Sequence, residues 1–292
     1  MSTPGDGVME VVTPSLLRHW PLPDPGSSKY GRGQVLVVGG AARTPGSVLL
    51  AGEAALRVGG GHLQLAVAES VAAALAVAVP EAGVIALPQT ATGSVRGAGA
   101  ADRLGDAAAA DVVLVGPGLD DADEAADLLE ALVPVLGEEA LVVLDAYALG
   151  VLPGLDDVQA SLRGRLVLTP NSEETRRLLG DEPDDPVRGA AQVADSYGAV
   201  VSTSGYVAGP DGRCWQMSTG HTGLGTSGSG DVLAGTVTGL LARGADLDQA
   251  ACWGTHLHAA SGDRLAARQG PLGFLARDLL GELPLLLVEL SA

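Results

Sequence analysis

Apolar, β-branched runs alternate with helical segments along most of the chain, and this alternation restricts its fold more than any other feature. The first run, residues 34–38, ends in two glycines, and the spacing of apolar residues predicts a helix from about Ser47 to Val58. Further strands are predicted at 62–67, 84–87, 111–115, 141–144, 166–168 and 199–201. The pattern predicts right-handed βαβ crossovers and a mainly parallel sheet with helices on both faces, a three-layer αβα fold.

Two regions depart from this alternation. The segment before the first strand is rich in proline, so we expect residues 1–28 to form an extended arm ahead of a single α/β domain at 29–292. No linker or internal repeat divides that domain. Residues 209–212 read Gly-Pro-Asp-Gly between two short apolar runs, which predicts a hairpin and a short antiparallel edge.

The charge of the chain limits its partners. It carries 17 Lys and Arg against 35 Asp and Glu, a formal net charge of −18. Basic residues dominate binding to nucleic acid, so a nucleic-acid partner is not expected. Anionic ligands must instead be held by helix N-termini and glycine loops. Only two cysteines, no signal peptide and no long apolar stretch predict a cytoplasmic protein with no membrane partner.

Residues 225–231 read Gly-Thr-Ser-Gly-Ser-Gly-Asp and precede an apolar helical pattern, so this loop is predicted to open a helix. Its backbone N–H groups, unhindered by Cβ atoms, would converge on an anion. Asp231 would stand beside that anion. A carboxylate repels phosphate there, but it is useful if it takes a proton from a hydroxyl. The alternative interpretation is a glycine-rich turn with Asp231 as an ordinary N-cap.

Chemically unusual residues end several predicted strands, and ligands bind at the carboxyl edge of such a sheet. These residues are Gly39-Gly40, Gly116-Pro117-Gly118, Asp145, Asn171 and Ser202-Thr203-Ser204-Gly205. Asn171 and Glu174, three residues apart at a helix start, could hold the water shell of Mg²⁺ or could form a capping box. Asp145 could be a second magnesium-shell carboxylate or could cap a turn. His256 and His258 are two apart, which favours helix packing over a zinc pair.

The Gly-Ser-Gly-Asp sequence at 228–231 resembles the anion-hole motif of ribokinase-like small-molecule kinases. Asn171-Ser172-Glu173-Glu174 is similar to the Asn-x-x-Glu motif of the same superfamily. Within that superfamily the chain most resembles the ADP-dependent NAD(P)H-hydrate dehydratases, from about residue 29 to residue 284. The segments that carry the resemblance are 33–40, 54–59, 116–119, 168–171, 223–235, 257–258, 262–263, 273–274 and 278–280.

The resemblance implies repair of NADH or NADPH that has gained water across a nicotinamide double bond. The hydroxyl of the S epimer would be phosphorylated by ADP in the presence of Mg²⁺, and the phosphate would then be eliminated. Asp231 would be the base, and the amides of Gly228, Ser229 and Gly230 would stabilise the transferred phosphoryl group. By the same resemblance, the hydrate would contact Ser47, Gly118, Asn171 and Asp231, and the nucleotide would contact Ser202, Thr203, Ser204, Gly205, Thr226 and Gly230.

The chain departs from the family pattern at several positions, which include Asn171, where the family often has His, and two longer segments. The family's Lys-Gly-x-x-Thr is here Ser202-Thr203-Ser204-Gly205-Tyr206, so nucleotide contacts would rely on hydroxyls and backbone. The family's Asp-Ala-Asp-Ala-Leu is here Asp145-Ala146-Tyr147-Ala148-Leu149, without the second carboxylate. The family also implies a homotetramer and a separate epimerase as functional partner. The alternative activity is an ATP-dependent kinase for a small alcohol such as a vitamin precursor, which would use the same anion hole and base.

Overall fold

The computed structural model describes residues 9–24, 26 and 28–291. Its strands are β1 (Met9–Val12), β2 (Gln34–Gly39), β3 (His62–Ala68), β4 (Ala82–Leu87), β5 (Val112–Val115), β6 (Leu141–Leu144), β7 (Leu166–Leu168), β8 (Val200–Thr203), β9 (Tyr206–Ala208) and β10 (Cys214–Met217). Its α-helices are α1 (Pro14–His19), α2 (Pro45–Arg57), α3 (Glu69–Ala78), α4 (Ala100–Leu104), α5 (Ala122–Leu132), α6 (Tyr147–Val151), α7 (Asp156–Leu162), α8 (Ser172–Leu179), α9 (Pro186–Tyr197), α10 (Ser229–Ala242), α11 (Leu247–Gln269) and α12 (Ala276–Ser291).

The strands form one sheet in the order β1-β10-β9-β8-β7-β6-β5-β2-β3-β4. Among the described strands, β9 alone runs antiparallel to its neighbours β8 and β10, so the predicted, mainly parallel sheet and its hairpin are confirmed. The hairpin turn is the predicted one, because the Gly209 amide donates to the Arg213 carbonyl at 2.9 Å. The hairpin is not at the edge of the sheet, however, since β1 pairs in parallel with β10 and lies outside it.

Alternate residues of each strand enter two separate cores. Val35 and Val37 of β2 pack in the core under α2, α10, α11 and α12, whereas Leu36 and Val38 pack in the core on the opposite face. The opposite core is covered mainly by α5, α6, α7 and α9. Because the central strands β2, β5, β6 and β7 are buried on both faces, they read as continuous apolar runs rather than as alternating ones. The three predicted layers are therefore confirmed.

The extended arm predicted at residues 1–28 is wrong where the structure describes it. Residues Met9–Val12 join the sheet, and Pro14–His19 form a helix capped by the Thr13 side chain, with Leu17 fully buried. The Trp253 indole then donates to the Trp20 carbonyl at 2.9 Å, which ties this segment to α11. Residues 1–8, 25, 27 and 292 lie outside the described ones, and the division into an arm and one domain stays a prediction there.

Helix α10 packs so closely against α2 that there is no room for a side chain at two glycines of α10. A Cβ atom on Gly235 would lie 2.0 Å from the Ala51 carbonyl oxygen, and one on Gly239 would lie 2.3 Å from that of Ala55. Only glycine permits this approach, because real Cβ contacts do not fall below about 3 Å. The spacing of four residues on each helix makes one continuous contact stripe. In the part of the chain that the structure describes, no helix is both long and apolar enough to cross a membrane.

Candidate active site

The carboxyl ends of β8, β7, β6, β5 and β2 are neighbours in the sheet, so the strand ends singled out in the sequence meet at one edge. Glycines at these strand ends allow the backbones of neighbouring loops to contact each other. A Cβ atom on Gly39 would lie 2.0 Å from the Pro117 carbonyl oxygen, and one on Gly116 would lie 1.8 Å from the Asp145 carbonyl oxygen. We call this edge the rim. It is the crevice at which doubly wound sheets bind ligands.

The segment before α2 is fastened to the loop after β5. The Ala41 amide and the Thr44 hydroxyl both donate to the Gly118 carbonyl, at 2.8 and 2.7 Å. Gly118 has a positive φ of 71°, and a Cβ atom there would lie 3.2 Å from Cβ of Ser47. The structure therefore brings together Ser47 and Gly118, two of the residues that the resemblance assigns to the hydrate.

Asp231 lies in the first turn of α10, half-buried at the rim and close to Ser47 of α2. Burial raises the pKa of Asp231, and the nearby Ser47 side chain partly opposes that rise by favouring the ionised carboxylate. A raised pKa brings a carboxylate closer to the range useful for a general base near neutral pH. The backbone next to it is open, because a Cβ atom on exposed Gly230 would meet no atom within 4 Å. Asp231 is thus accessible to a ligand.

The loop does open a helix, with Gly228 as its N-cap at φ 88°. The prediction for the Ser229 amide is wrong, because this amide donates to the Thr226 carbonyl at 3.2 Å. Among the described residues, no acceptor is bonded to the amides of Gly228, Gly230 and Asp231. The amide of Asp231, which the sequence analysis did not single out, therefore joins the two glycine amides as a free donor at the positive end of the helix.

Asp145 ends β6 and is only 6% exposed. Its Oδ1 accepts a hydrogen bond from the Thr169 hydroxyl at 2.9 Å. The pKa of Asp145 is raised to about 7, mainly by burial and then by the charges of Asp231 and Glu174, against the opposing hydrogen bond from Thr169. Asp145 is therefore influenced by the charges of Asp231 and Glu174, although the three were chosen from different motifs.

Asn171 and Glu174 form a capping box at the start of α8. The Glu174 amide donates to Asn171 Oδ1, and the Asn171 amide donates to Glu174 Oε2, both at 2.9 Å. The capping interpretation left open by the sequence is thus confirmed. Among the described residues, no three His, Cys, Asp or Glu side chains cluster closely enough to coordinate a metal directly. A magnesium role for Glu174 and Asp145, through water, stays a prediction.

The segment 202–205, which carries the hydroxyls predicted to contact the nucleotide, is only partly exposed. Ser202 is 1% exposed and its hydroxyl lies 2.7 Å from that of Thr255, while Thr203 is 4% exposed and 3.4 Å from the Thr175 hydroxyl. Both hydroxyls therefore face protein partners rather than open solvent, and their contact with a nucleotide stays a prediction. Ser204 and Gly205 form the exposed turn between β8 and β9, with φ values of 48° and 82°. Ser204 borders a cleft of about 560 Å³ that extends over α8.

One polar contact at the 225–231 loop was not predicted from the sequence. His258 was predicted to serve helix packing, and it is indeed buried, but its Nε2 lies 2.8 Å from the Ser229 hydroxyl. Burial lowers the pKa of His258 to about 4, so its ring is neutral near pH 7. The two-residue spacing to His256 gave no indication of this contact, because it depends on how α11 lies beneath α10.

A family model described as NAD(P)H-hydrate dehydratase matches residues 35–285, which is most of the chain. The chain belongs to the NAD(P)H-hydrate dehydratase family. The ADP-dependent (S)-NAD(P)H-hydrate dehydratase of Xanthomonas campestris pv. campestris is 44% identical over 94% of this chain and 95% of its own length. The bifunctional NAD(P)H-hydrate repair enzyme Nnr of Salinibacter ruber is 36% identical over 97% of this chain, which spans 53% of that relative.

Solved structures agree with this assignment. The ADP/ATP-dependent NAD(P)H-hydrate dehydratase from Bacillus subtilis, co-crystallized with ATP/Mg²⁺, superposes with a TM-score of 0.78 at 25% identity, over 97% of this chain and 99% of that one. A ribokinase-like superfamily protein from Enterococcus faecalis V583 gives a TM-score of 0.82 at 22% identity, over 97% and 96% of the two chains. The predicted ribokinase-like fold is confirmed.

Proposed function

We propose that the chain is an ADP-dependent (S)-NAD(P)H-hydrate dehydratase, a hydro-lyase that restores NADH or NADPH. The observation that carries the proposal is the position of Asp231, half-buried at the rim, close to Ser47 and beside three free amides. The 44% identical relative of that name, matched along nearly its whole length, favours this activity over the small-alcohol kinase.

In this proposal Asp231 takes the proton from the substrate hydroxyl as the hydroxyl oxygen attacks the terminal phosphorus of ADP. The bond between that phosphorus and the bridging oxygen breaks, and AMP leaves. The amides of Gly228, Gly230 and Asp231 stabilise the negative charge that develops on the transferred phosphoryl group. The carbon–oxygen bond then breaks as the ring nitrogen donates its electron pair, and phosphate departs. Loss of a proton from the adjacent ring carbon to water re-forms the double bond of the dihydronicotinamide.

Ser47, Gly118 and Asn171 line the same rim and would orient the hydrate. We propose that the nucleotide contacts Ser204, Gly205 and Thr226. Ser202 and Thr203, at the end of β8, hold the turn that carries Ser204 and Gly205. The donor set suits Mg²⁺, which prefers oxygen ligands and retains its waters. Asp145 and Glu174 would hold it through water. The bound ion would supply positive charge to the phosphate oxygens and offset the repulsion among the three carboxylates.

We propose three further properties on the basis of the family. A separate epimerase would supply the S epimer, because hydration of the ring gives two epimers and this site would use one. The assembly would be a homotetramer. The location would be cytoplasmic, which the two free, buried cysteines Cys214 and Cys252 support.

The test is turnover of the S-epimer hydrate of NADH with ADP and Mg²⁺, followed by the absorbance of reduced nicotinamide and by release of phosphate. We expect both signals in equal amounts, and Asp231→Asn to lower kcat by about 10²-fold or more while ADP still binds. Asp195→Asn, an exposed carboxylate in the last turn of α9, is the matched control and should retain full activity. Accumulation of a stable phosphorylated alcohol from ATP, with no reduced nicotinamide, would establish the kinase instead.

A further inference from the structure

Ser229 is the one residue of the Gly228–Gly230 turn that has a side chain. Glycine leaves the backbone on either side of it with more conformational freedom than any other residue would. Two anchors restrict Ser229 itself: its amide donates to the Thr226 carbonyl at 3.2 Å, and its hydroxyl lies 2.8 Å from Nε2 of His258. Since the free amides of Gly228 and Gly230 flank this residue, the orientation of both depends on how firmly Ser229 is held.

The second anchor comes from a different helix, and that helix is itself fixed against the same loops. On one face of α11, Thr255 bonds the Ser202 hydroxyl, and a Cβ atom on Gly262 would lie 2.7 Å from the Leu224 side chain. His258 lies between them on the same face, because residues three and four apart are neighbours on a helix. Ser229 is 4% exposed and His258 is 8% exposed. Their hydrogen bond is therefore shielded from competing water.

We propose that His258 is a positioning residue for the anion hole, acting through the Ser229 hydroxyl to hold the amides of Gly228, Gly230 and Asp231 in their transition-state orientation. The inference rests on the proposed function for its kinetic consequence, but its structural consequence is independent of the reaction. His258 touches no reacting atom. Its contribution is preorganisation, which lowers the cost of reorienting donors when charge develops.

The kinetic test compares His258→Ala with His258→Gln, whose amide can still bond the Ser229 hydroxyl. We expect His258→Ala to lower kcat by about 10- to 100-fold and to change KM for ADP by less than about threefold. His258→Gln should recover most of the loss. The control is His256→Gln, because His256 is 2% exposed on the same helix but lies 3.5 Å from Thr219 rather than at Ser229.

Two further readouts separate positioning from general destabilisation. In a double-mutant cycle, Ser229→Ala combined with His258→Ala should lose no more activity than the worse single variant, because both remove the same bond. Hydrogen exchange of the Ser229 amide, which bonds the Thr226 carbonyl, should be about fivefold faster or more in His258→Ala, the loss of roughly one net hydrogen bond, and unchanged in His256→Gln.

Additive losses in the cycle, or unchanged exchange of the Ser229 amide, overturn the positioning role whatever reaction the enzyme performs. Absence of turnover in the wild-type protein, with exchange responding as described, overturns the proposed function and leaves the role of His258 intact.

Discussion

Asp145→Asn should stabilise the protein, and increasingly so as the pH rises. Burial places the pKa of this carboxyl at about 7, against 3.8 for an exposed one. Between those values the folded state keeps a proton that the unfolded state has lost, so the contribution of Asp145 to stability is full below pH 3.8 and is lost as the pH rises through about 7. An asparagine keeps the acceptor for Thr169 and carries no charge at any of these pH values.

The size of the effect follows from the two pKa values. At about 1.4 kcal/mol for each pH unit, complete ionisation of Asp145 costs roughly 4 kcal/mol. Linkage distributes that cost over pH, so Asp145→Asn should gain about 2 kcal/mol at pH 5.5 and about 4 kcal/mol at pH 8.5. These are large values against the 5–15 kcal/mol of a typical domain, and they would raise Tm by roughly 2–4 °C per kcal/mol.

Thermal unfolding between pH 5.5 and 8.5 measures this directly, with EDTA present so that no metal neutralises the carboxylate. More acidic conditions are avoided because the isoelectric point is about 4.4. Asp195→Asn removes an exposed carboxylate and should leave the pH dependence of Tm as in the wild type. Parallel Tm curves for the wild type and Asp145→Asn would show that Asp145 carries no burial penalty, and the reasoning would be refuted.

Two glycine substitutions test the rim and the helix pair beneath it. The methyl group of Gly230→Ala would meet no atom within 4 Å, so Tm should stay within about 2 °C of the wild-type value. ADP-dependent turnover should fall about tenfold or more, because the methyl group would lie in front of the free amides. Full activity would contradict this prediction. Gly235→Ala places its methyl 2.0 Å from the Ala51 carbonyl oxygen and should cost about 3 kcal/mol or more in chemical unfolding. Gly281→Ala, with open space on α12, should instead stabilise slightly, by up to about 1 kcal/mol, because alanine favours the helix; equal effects would refute the close packing.

The sequence predicted most of the sheet because each buried strand is an uninterrupted apolar run that ends in glycine or a polar residue. Residues 9–12 and 14–19 escaped prediction for a physical reason. A four-residue edge strand has too few residues to show a period, and the prolines around it suggest irregular structure. Pro14 is in fact at the first turn of α1, where a missing N–H is harmless.

The candidate site was predictable where its chemistry lies in one contiguous segment, as for Asp231 and its glycines. It was not predictable where two distant segments meet. Ser202 and Thr203 looked available as hydroxyls, but as residues of β8 inside the sheet they are buried, and only the turn residues Ser204 and Gly205 reach the surface. His258 could not be connected to Ser229 because their contact depends on the packing of α11 against α10.

The same packing that builds the core also sets the distance between Asp231, the proposed base, and Ser47, a proposed contact of the hydrate. Asp231, Gly235 and Gly239 follow one another at intervals of four residues on α10, as do Ser47, Ala51 and Ala55 on α2. Two of these pairs are glycine-to-backbone contacts, and the third brings Asp231 close to Ser47. The proposed base therefore lies at the end of a close-packed stripe. A methyl group at position 235 would separate the helices near the site, so its effect on kcat should exceed what the loss of stability alone explains.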